Sequence, residues 1–290
     1  MRGMAALSRF DPSNVVCGPG EGPALTTARG ALFNEDCLSF LKRVSDESVD
    51  TVFADPPFNL GKVYGPSVDD AMTEDEYVEW SKNWIDECIR ALKPGGSFFL
   101  YNLPRWNVLL GAHLMAKNLM FRHWIAINIK FGLPIPGRLY PAHYSLLYYT
   151  KGKPEIFRKI RTPIETCRHC GGEIKDYGGH RGAMNPDGVN LSDVWSDIPP
   201  VRHWKFKNKK RSANQLSTKL LERVVHLTTN EGDLLLDPFG GSGTTFAVAE
   251  QHNRYWVGSE IESCDIIAER LEDADIHHHS NNDWIEPVAA

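Results

Sequence analysis

Residues 233–251, DLLLDPFGGSGTTFAVAEQ, constrain the fold more than any other stretch of the chain: an apolar run passes straight into a glycine-rich turn and then into a helix-forming segment. A strand that feeds a helix through a tight turn is the building unit of layered α/β folds, and the turn then lies at the carboxyl edge of the sheet. Gly240, Gly241 and Gly243 let the backbone approach a ligand closely. The helix expected from Thr244 aims its free N–H groups and positive dipole end at the same place.

The same alternation recurs elsewhere. SVDTVFADPP, residues 48–57, reads as a buried strand stopped by Pro-Pro, with Asp55 at its carboxyl end. A helix is predicted over 73–92, with Thr73 as N-cap, Glu76 as its capping-box partner and LKPGG as its stop. SFFLYN (97–102) is the next strand, 107–118 a helix, and WIAINIKF and HYSLLYYTKG two further strands. Beyond residue 211 the pattern resumes with a helix over 214–228, a strand at 233–237, a helix over 244–252 and a strand at RYWVGSEI. The expected class is α/β, and the two α/β stretches are expected to share one sheet. Residues 1–30 read as a largely irregular arm and residues 273–290 as a polar tail, in which His277, His278 and His279 suit a solvated end better than a metal site.

Composition bounds the function classes. Hydrophobic residues make up 42% and charged residues 24%, which fits neither a disordered nor a fibrous protein. No eighteen-residue apolar window and no secretory signal pattern are present, so a cytoplasmic protein with no membrane partner is expected. Of six cysteines only Cys167 and Cys170 are close in sequence, which is no disulfide framework. The net charge of -5 hides an asymmetry: residues 151–211 hold fourteen Lys or Arg against seven Asp or Glu, and the remainder is acidic. A polyanion touching only that segment would account for the pattern, and so would a solvated basic surface.

The turn lacks both phosphate fingerprints, GxGxxG and GxxxxGK[ST], and Asp237 sets a carboxylate beside it. That is awkward for a phosphate and suits a cationic ligand. S-adenosylmethionine carries a sulfonium and an ammonium, and is the cofactor expected here, with Asp237, Phe239, Gly240, Gly241, Ser242, Gly243 and Thr244 around it. Glu260 ends the next strand about where an α/β nucleotide site places the acid that binds ribose hydroxyls; a solvent-facing Glu beside Glu262 is the alternative.

Asp55, Pro56, Pro57 and Phe58 are the expected catalytic residues. An exocyclic base amine is a poor nucleophile because its lone pair is delocalised into the ring. A carboxylate accepting one N–H and the Pro56 carbonyl accepting the other favour a tetrahedral nitrogen whose lone pair faces a methyl donor. Phe58 offers a flat face for an extruded base.

DPPF followed by DPFGGSGTT resembles the amino-methyltransferase superfamily that modifies adenine N6 or cytosine N4 in DNA. The catalytic motif precedes the cofactor motif, which is similar to the permuted order of the β class. NEDCLSFL, LKPGGSFFLYN, PAHYSLLYYTKG and NQLSTKLLERVV resemble further motifs in the expected order, so that the likeness spans residues 31–271. The resemblance implies a Rossmann-like, S-adenosylmethionine-dependent methyltransferase fold with a mostly parallel sheet and helices on both faces. It implies a catalytic half at 31–150, a target-recognition insertion at 151–211 and a cofactor half at 212–272, and it implicates Asp36 and Cys37 in holding the cofactor's adenine. Double-stranded DNA is the implied partner; a homodimer and a cognate restriction endonuclease are left open. The family's HPTQKP string stands here as SANQLS, with Gln215 kept and Leu216 and Ser217 in place of Lys and Pro, so no lysine role is carried over. Asp55 tilts the target to adenine N6, because cytosine-N4 members often carry Ser there. Cytosine C5 chemistry is set aside, since none of the cysteines follows a proline. An RNA or protein-amide methyltransferase, and a DNA-binding module without catalysis, are the competing classes.

Within the insertion, VRHWKFKNKKR interleaves Trp204 and Phe206 with Arg202, Lys205, Lys207, Lys209, Lys210 and Arg211. These cations can neutralise phosphates while the rings stack on bases or pack inward. Cys167 and Cys170 form a CxxCG turn like that of a zinc knuckle, with His180 as a third ligand and His169 or His203 as a fourth, or else a loop with two reduced thiols.

Overall fold

The computed structural model describes residues 8–61, 71–128, 136–137, 139–164, 166–167, 169–173, 178–198 and 215–272. In chain order the strands are β1 (Leu25–Thr26), β2 (Gly30–Phe33), β3 (Val49–Ala54), β4 (Leu92–Asn102), β5 (Met120–Asn128), β6 (His143–Thr150), β7 (Arg161–Thr162), β8 (Val189–Asn190), β9 (Val194–Trp195), β10 (Leu234–Asp237) and β11 (Tyr255–Ser259). The helices are α1 (Cys37–Leu41), α2 (Glu74–Ala91), α3 (Pro104–Ala116), α4 (Thr218–Thr228), α5 (Thr244–Gln251) and α6 (Asp265–Glu272).

Nine strands form one sheet in the order β1-β2-β11-β10-β3-β4-β6-β5-β9, with β7 and β8 as a separate pair. β2, β11, β10, β3 and β4 run parallel, β6 is antiparallel to β4 and β5, and β9 joins β5 in parallel. The two α/β stretches thus share one sheet, because β10 is inserted between β11 and β3. Leu236 pairs with Val52 and Ala54 with Leu100, so Asp237 and Asp55 end neighbouring strands at the same carboxyl edge.

Alternation along the strands builds two cores. Val52, Ala54 and Leu236 face Phe40, Trp84, Trp106 and Leu110 from α1, α2 and α3. Phe53, Phe99 and Leu235 face Leu221, Val224, Phe246 and Ile267 from α4, α5 and α6. Each such side chain fully withdrawn from water contributes about 1.5–3 kcal/mol. Helices on both faces of a mostly parallel sheet give the doubly wound α/β class expected from the pattern.

Local chemistry sets the ends of the elements. Thr73 Oγ1 accepts from the Glu76 N–H and Glu76 Oε2 accepts from the Thr73 N–H at 2.9 Å, the reciprocal cap expected for α2. α3 begins three residues earlier than periodicity suggested, since Pro104 takes the first helical position, where no N–H is required. The arm is less irregular than its composition: β1 pairs with β2, and Val15 and Val16 enter the first core. The insertion is likewise tied in at several points. β9 extends the sheet, Ile160, Trp195 and Ile198 pack into the second core, and the Arg223 guanidinium donates to Asp197. Among the described residues no helix is long and apolar enough to cross a membrane. The polar tail from residue 273, with its three histidines, lies outside the described residues.

Candidate active site

Asp55 leaves β3 at the carboxyl edge, and the turn that follows is held by its own carbonyls. The Tyr77 hydroxyl of α2 donates to Pro57 O at 2.7 Å, and the Trp106 indole N–H of α3 donates to Phe58 O at 2.8 Å. Asn102 Nδ2, at the end of β4, donates to the Tyr77 hydroxyl at 2.9 Å, and the Tyr77 and Trp106 rings lie 4.6 Å apart. Proline cannot donate to a ladder, so a Pro-Pro turn depends on such side-chain donors to its carbonyls. Pro56 is buried at the centre of the turn, and Phe58 packs its ring 6.1 Å from Tyr101 and 5.7 Å from Tyr144.

Asp237 accepts from the Phe239 N–H at 2.9 Å and from the Thr245 hydroxyl. Its carboxyl is pushed up to about 7, by burial above all, against those two hydrogen bonds and with a further push from Glu260. Asp55 is raised well above the usual carboxylate range, by burial first and by the Asp237 charge second. A buried carboxylate, Asp237, and a half-buried one, Asp55, thus repel each other at one edge of the sheet, and among the described residues no Lys or Arg pairs with either. Burial and the charge of Asp55 likewise raise the Tyr101 and Tyr144 hydroxyls.

The glycine turn departs in part from its expected role. The Gly240 N–H donates to Ser259 O, the Gly243 N–H to Gly240 O and the Gly241 N–H to Glu260 Oε2 at 2.6 Å, so these amides hold the turn itself. Gly243 caps α5 in the left-handed region at φ 75°, and a Cβ there would meet Ile267 Cγ2 at 2.9 Å. Part of the glycine requirement is therefore the close docking of α6. Ser242 and Thr244 are buried, with the Thr244 hydroxyl accepting from Arg270 at 3.1 Å. Glu260 Oε1 also accepts from the Glu262 N–H, so the carboxylate is fixed at the strand end and its remaining lone pairs stay available. Burial raises its carboxyl, with the three backbone N–H groups around it opposing.

Asp36 is the N-cap of α1, accepting from the Leu38 and Ser39 N–H groups, and Cys37 is buried behind it with its thiol pushed up by burial. Burial first, and the nearby Cys37 and Asp237 second, push the Cys88 thiol of α2 up. Phe239 packs against Trp84 at 5.1 Å and Trp80 at 5.8 Å. Tyr77, Trp80, Trp84, Tyr101, Asn102, Trp106 and Tyr144 went unread in the sequence. The dense aromatic content of 76–106 was the one signal for Tyr77, Trp80, Trp84, Tyr101 and Trp106, and none pointed to Asn102 or Tyr144.

The basic residues Arg202, Lys205, Lys207, Lys209, Lys210 and Arg211 lie outside the described residues. The zinc site weighed against a loop of two reduced thiols is not assembled: among the described residues no three His, Cys, Asp or Glu side chains come together as metal ligands. Cys167 and Cys170 instead close a tight turn in which the Gly171 N–H donates to Cys167 O and the Cys167 N–H to Gly172 O. His180 does not complete a ligand set with them.

The sheet order and the strand-tip carboxylates define a Rossmann-like methyltransferase fold. The chain belongs to the N6/N4 amino-methyltransferase family, whose profile, described as DNA methylase, matches residues 49–269. It is 59% identical over 254 residues to the Type II methyltransferase M.BamHI of Bacillus amyloliquefaciens, covering 87% of this chain and 59% of that protein's length. It is 30% identical over 263 residues to the DNA adenine methyltransferase YhdJ of Escherichia coli (strain K12), covering 89% and 86%. Among solved structures, the PvuII DNA methyltransferase, titled cytosine-N4-specific, superposes with a TM-score of 0.64 at 21% identity over 88% of this chain and 91% of that one.

Proposed function

We propose that the chain transfers a methyl group from S-adenosylmethionine to an exocyclic amine of a base in double-stranded DNA, with adenine N6 as the target. The observation that carries this reading is the pair of mutually repelling carboxylates, half-buried Asp55 and buried Asp237, which lack a cationic partner among the described residues. A cationic methyl donor beside them supplies the missing charge, so the residues present fit the cofactor. A solved relative of the same fold, M1.HpyAVI, is titled as a complex with SAM. Asp237 would face the ammonium and sulfonium end, Glu260 the ribose hydroxyls, and Asp36, Cys37, Phe239 and the turn Gly240, Gly241, Ser242, Gly243 and Thr244 the rest of the ligand.

When bound, the cofactor supplies a methyl group on a positively charged sulfur. The protein's part is to present the amine. Asp55 in its ionised form accepts one amine N–H, and the Pro56 carbonyl accepts the other, which frees the nitrogen lone pair for in-line attack. Methylation of the amine releases one proton, which Asp55, its basicity raised by burial, would accept. Tyr77 and Trp106 hold the turn so that these two acceptors keep their spacing. Phe58 with Tyr101 and Tyr144 forms the aromatic side of the base pocket.

DNA as substrate is supported by the family and by the basic segment at 151–211, whose cations suit phosphates. A cognate restriction endonuclease is supported by the Type II description of the Bacillus relative. Cytosine N4 is the second reading, favoured by the superposition on a cytosine-N4-specific enzyme, whereas adenine is favoured by Asp55 and by the Escherichia coli relative. Incubation of the purified protein with labelled cofactor and either duplex DNA or RNA, followed by nucleoside digestion, tests both points. N6-methyladenine from the duplex is expected. N4-methylcytosine moves the target to the second reading, and label in RNA alone overturns the DNA assignment.

A further inference from the structure

We propose that the Tyr101 hydroxyl makes the second polar contact to the target base, donating to the ring nitrogen that flanks the reactive amine while Asp55 accepts from the amine itself. The inference rests on the exocyclic-amine chemistry proposed above and adds a residue that reads the base.

The placement follows from the sheet. Ala54 pairs with Leu100, so residues 55 and 101 come next on adjacent parallel strands, about 4.8 Å apart. Phe53, Phe99 and Tyr101 share the second core, and by alternation Asp55 leaves the sheet on their side. The Tyr101 ring touches Tyr144 at 5.3 Å and Phe58 at 6.1 Å, the same rings that enclose the base pocket.

Among the described tyrosines, Tyr101 and its neighbour Tyr144 have hydroxyls without a hydrogen-bond partner, whereas others in the chain are paired. Tyr77 donates to Pro57 O, Tyr149 donates to Gly111 O, and Tyr148 shares a hydrogen bond with Ser97. Tyr101 is only 6% exposed, yet its hydroxyl makes no hydrogen bond among the described residues. The hydroxyl is not one of the fully enclosed polar atoms left without a partner, so it keeps an opening to solvent through which a base acceptor can reach it. Burial and the neighbouring Asp55 keep it protonated, which makes it a donor.

A carboxylate beside a hydroxyl donor matches the edge of an aminated base. The amine donates, and the ring nitrogen one carbon away, N1 in adenine or N3 in cytosine, accepts. Both target bases of the family share this edge, so the pair selects an amine flanked by an acceptor without deciding between them. On the Watson–Crick side of the guanine amine stands an N–H, which would meet the tyrosine donor head on.

The test compares a duplex containing the recognised site with one in which the target adenine is replaced by 1-deaza-2′-deoxyadenosine, which keeps the amine and loses N1. Both are assayed with wild type and Tyr101→Phe. The expected result is a loss in kcat/KM of about five- to tenfold for wild type on the deaza duplex, the worth of one neutral hydrogen bond. Tyr101→Phe loses a similar factor on adenine, keeps wild-type cofactor affinity, and no longer distinguishes the two duplexes. Equal wild-type rates on the two duplexes would overturn the proposal even if the variant failed to fold. So would a Tyr101→Phe protein that still discriminates, or whose loss lies in cofactor binding. Failure of the adenine assignment is seen separately, as wild-type transfer to cytosine, and the cycle is then run with 3-deaza-2′-deoxycytidine under the same outcomes.

Discussion

Asp237→Asn should act in opposite directions on the empty and the cofactor-bound protein. The Asp237 carboxyl is raised from its ordinary 3.8 to about 7, by burial first, with Glu260 adding and the Thr245 hydroxyl and Phe239 N–H opposing. A group whose folded pKa is raised contributes stability that is present below about pH 4 and lost as pH rises through about 7. A shift of that size corresponds to about 4 kcal/mol at pH 8, where the buried carboxylate is forced to ionise. Asparagine keeps an oxygen for the Phe239 N–H and cannot ionise, so without cofactor the variant should be more stable at pH 8. At roughly 2 °C per kcal/mol for a chain of this length, its Tm rises by about 8 °C at pH 8, and the two proteins converge only below about pH 4. With S-adenosylmethionine the order reverses: wild type is stabilised by the ligand and the variant is not, because the carboxylate that would face the cationic end is gone. Thermal unfolding at the two pH values, with and without cofactor, reads all four states. A variant less stable than wild type at pH 8 that still binds cofactor normally would refute the placement of Asp237.

Wild-type cofactor affinity should weaken as pH falls below about 7, by up to tenfold per unit while one proton must leave Asp237 for the cation to bind, and calorimetric titration in buffers of different ionisation enthalpy would register that proton. Tyr77→Phe removes the donor to Pro57 O and the acceptor of Asn102, so it should cost about 2 kcal/mol of stability and lower kcat with little change in cofactor affinity, as stopped-flow and binding measurements would report. Replacing Lys207, Lys209 and Lys210 together by Ala should weaken DNA binding and lower the slope of log K against log salt by up to about 3, and an unchanged slope would remove these residues from the phosphate interface.

The order of the longer strands and helices was legible where periodicity and turn chemistry agreed, while β1, β2, α1, α6 and the short strands β7, β8 and β9 were not read. Thr73 and Glu76 announce α2, Pro57 ends the β3 segment, and the GGSG turn separates β10 from α5. The glycine turn was read for its ligand alone, since nothing in a linear sequence indicates that Ile267 docks against Gly243. Tyr101 and Tyr144 meet at Asp55 only because antiparallel β6 pairs with β4, a neighbour relation that periodicity does not encode. Tyr77 and Trp106 escaped for the same reason: each lies in a helix and looks like core until its hydrogen bond to the DPPF turn is seen. The CxxC spacing left a zinc site and a loop with two reduced thiols both open, because spacing carries only the first half of a zinc site and folding must supply the second.

The most direct measurement is modification-sensitive sequencing of DNA from cells expressing either the wild-type chain or Asp55→Ala, paired with cofactor binding by the two purified proteins. Wild type should leave a methylated exocyclic amine, N6-methyladenine by the present assignment, at one sequence context. Asp55→Ala should erase the mark while cofactor still binds. A mark on cytosine C5, or a mark that survives loss of Asp55, would contradict the claim that this carboxylate presents a base amine for methylation.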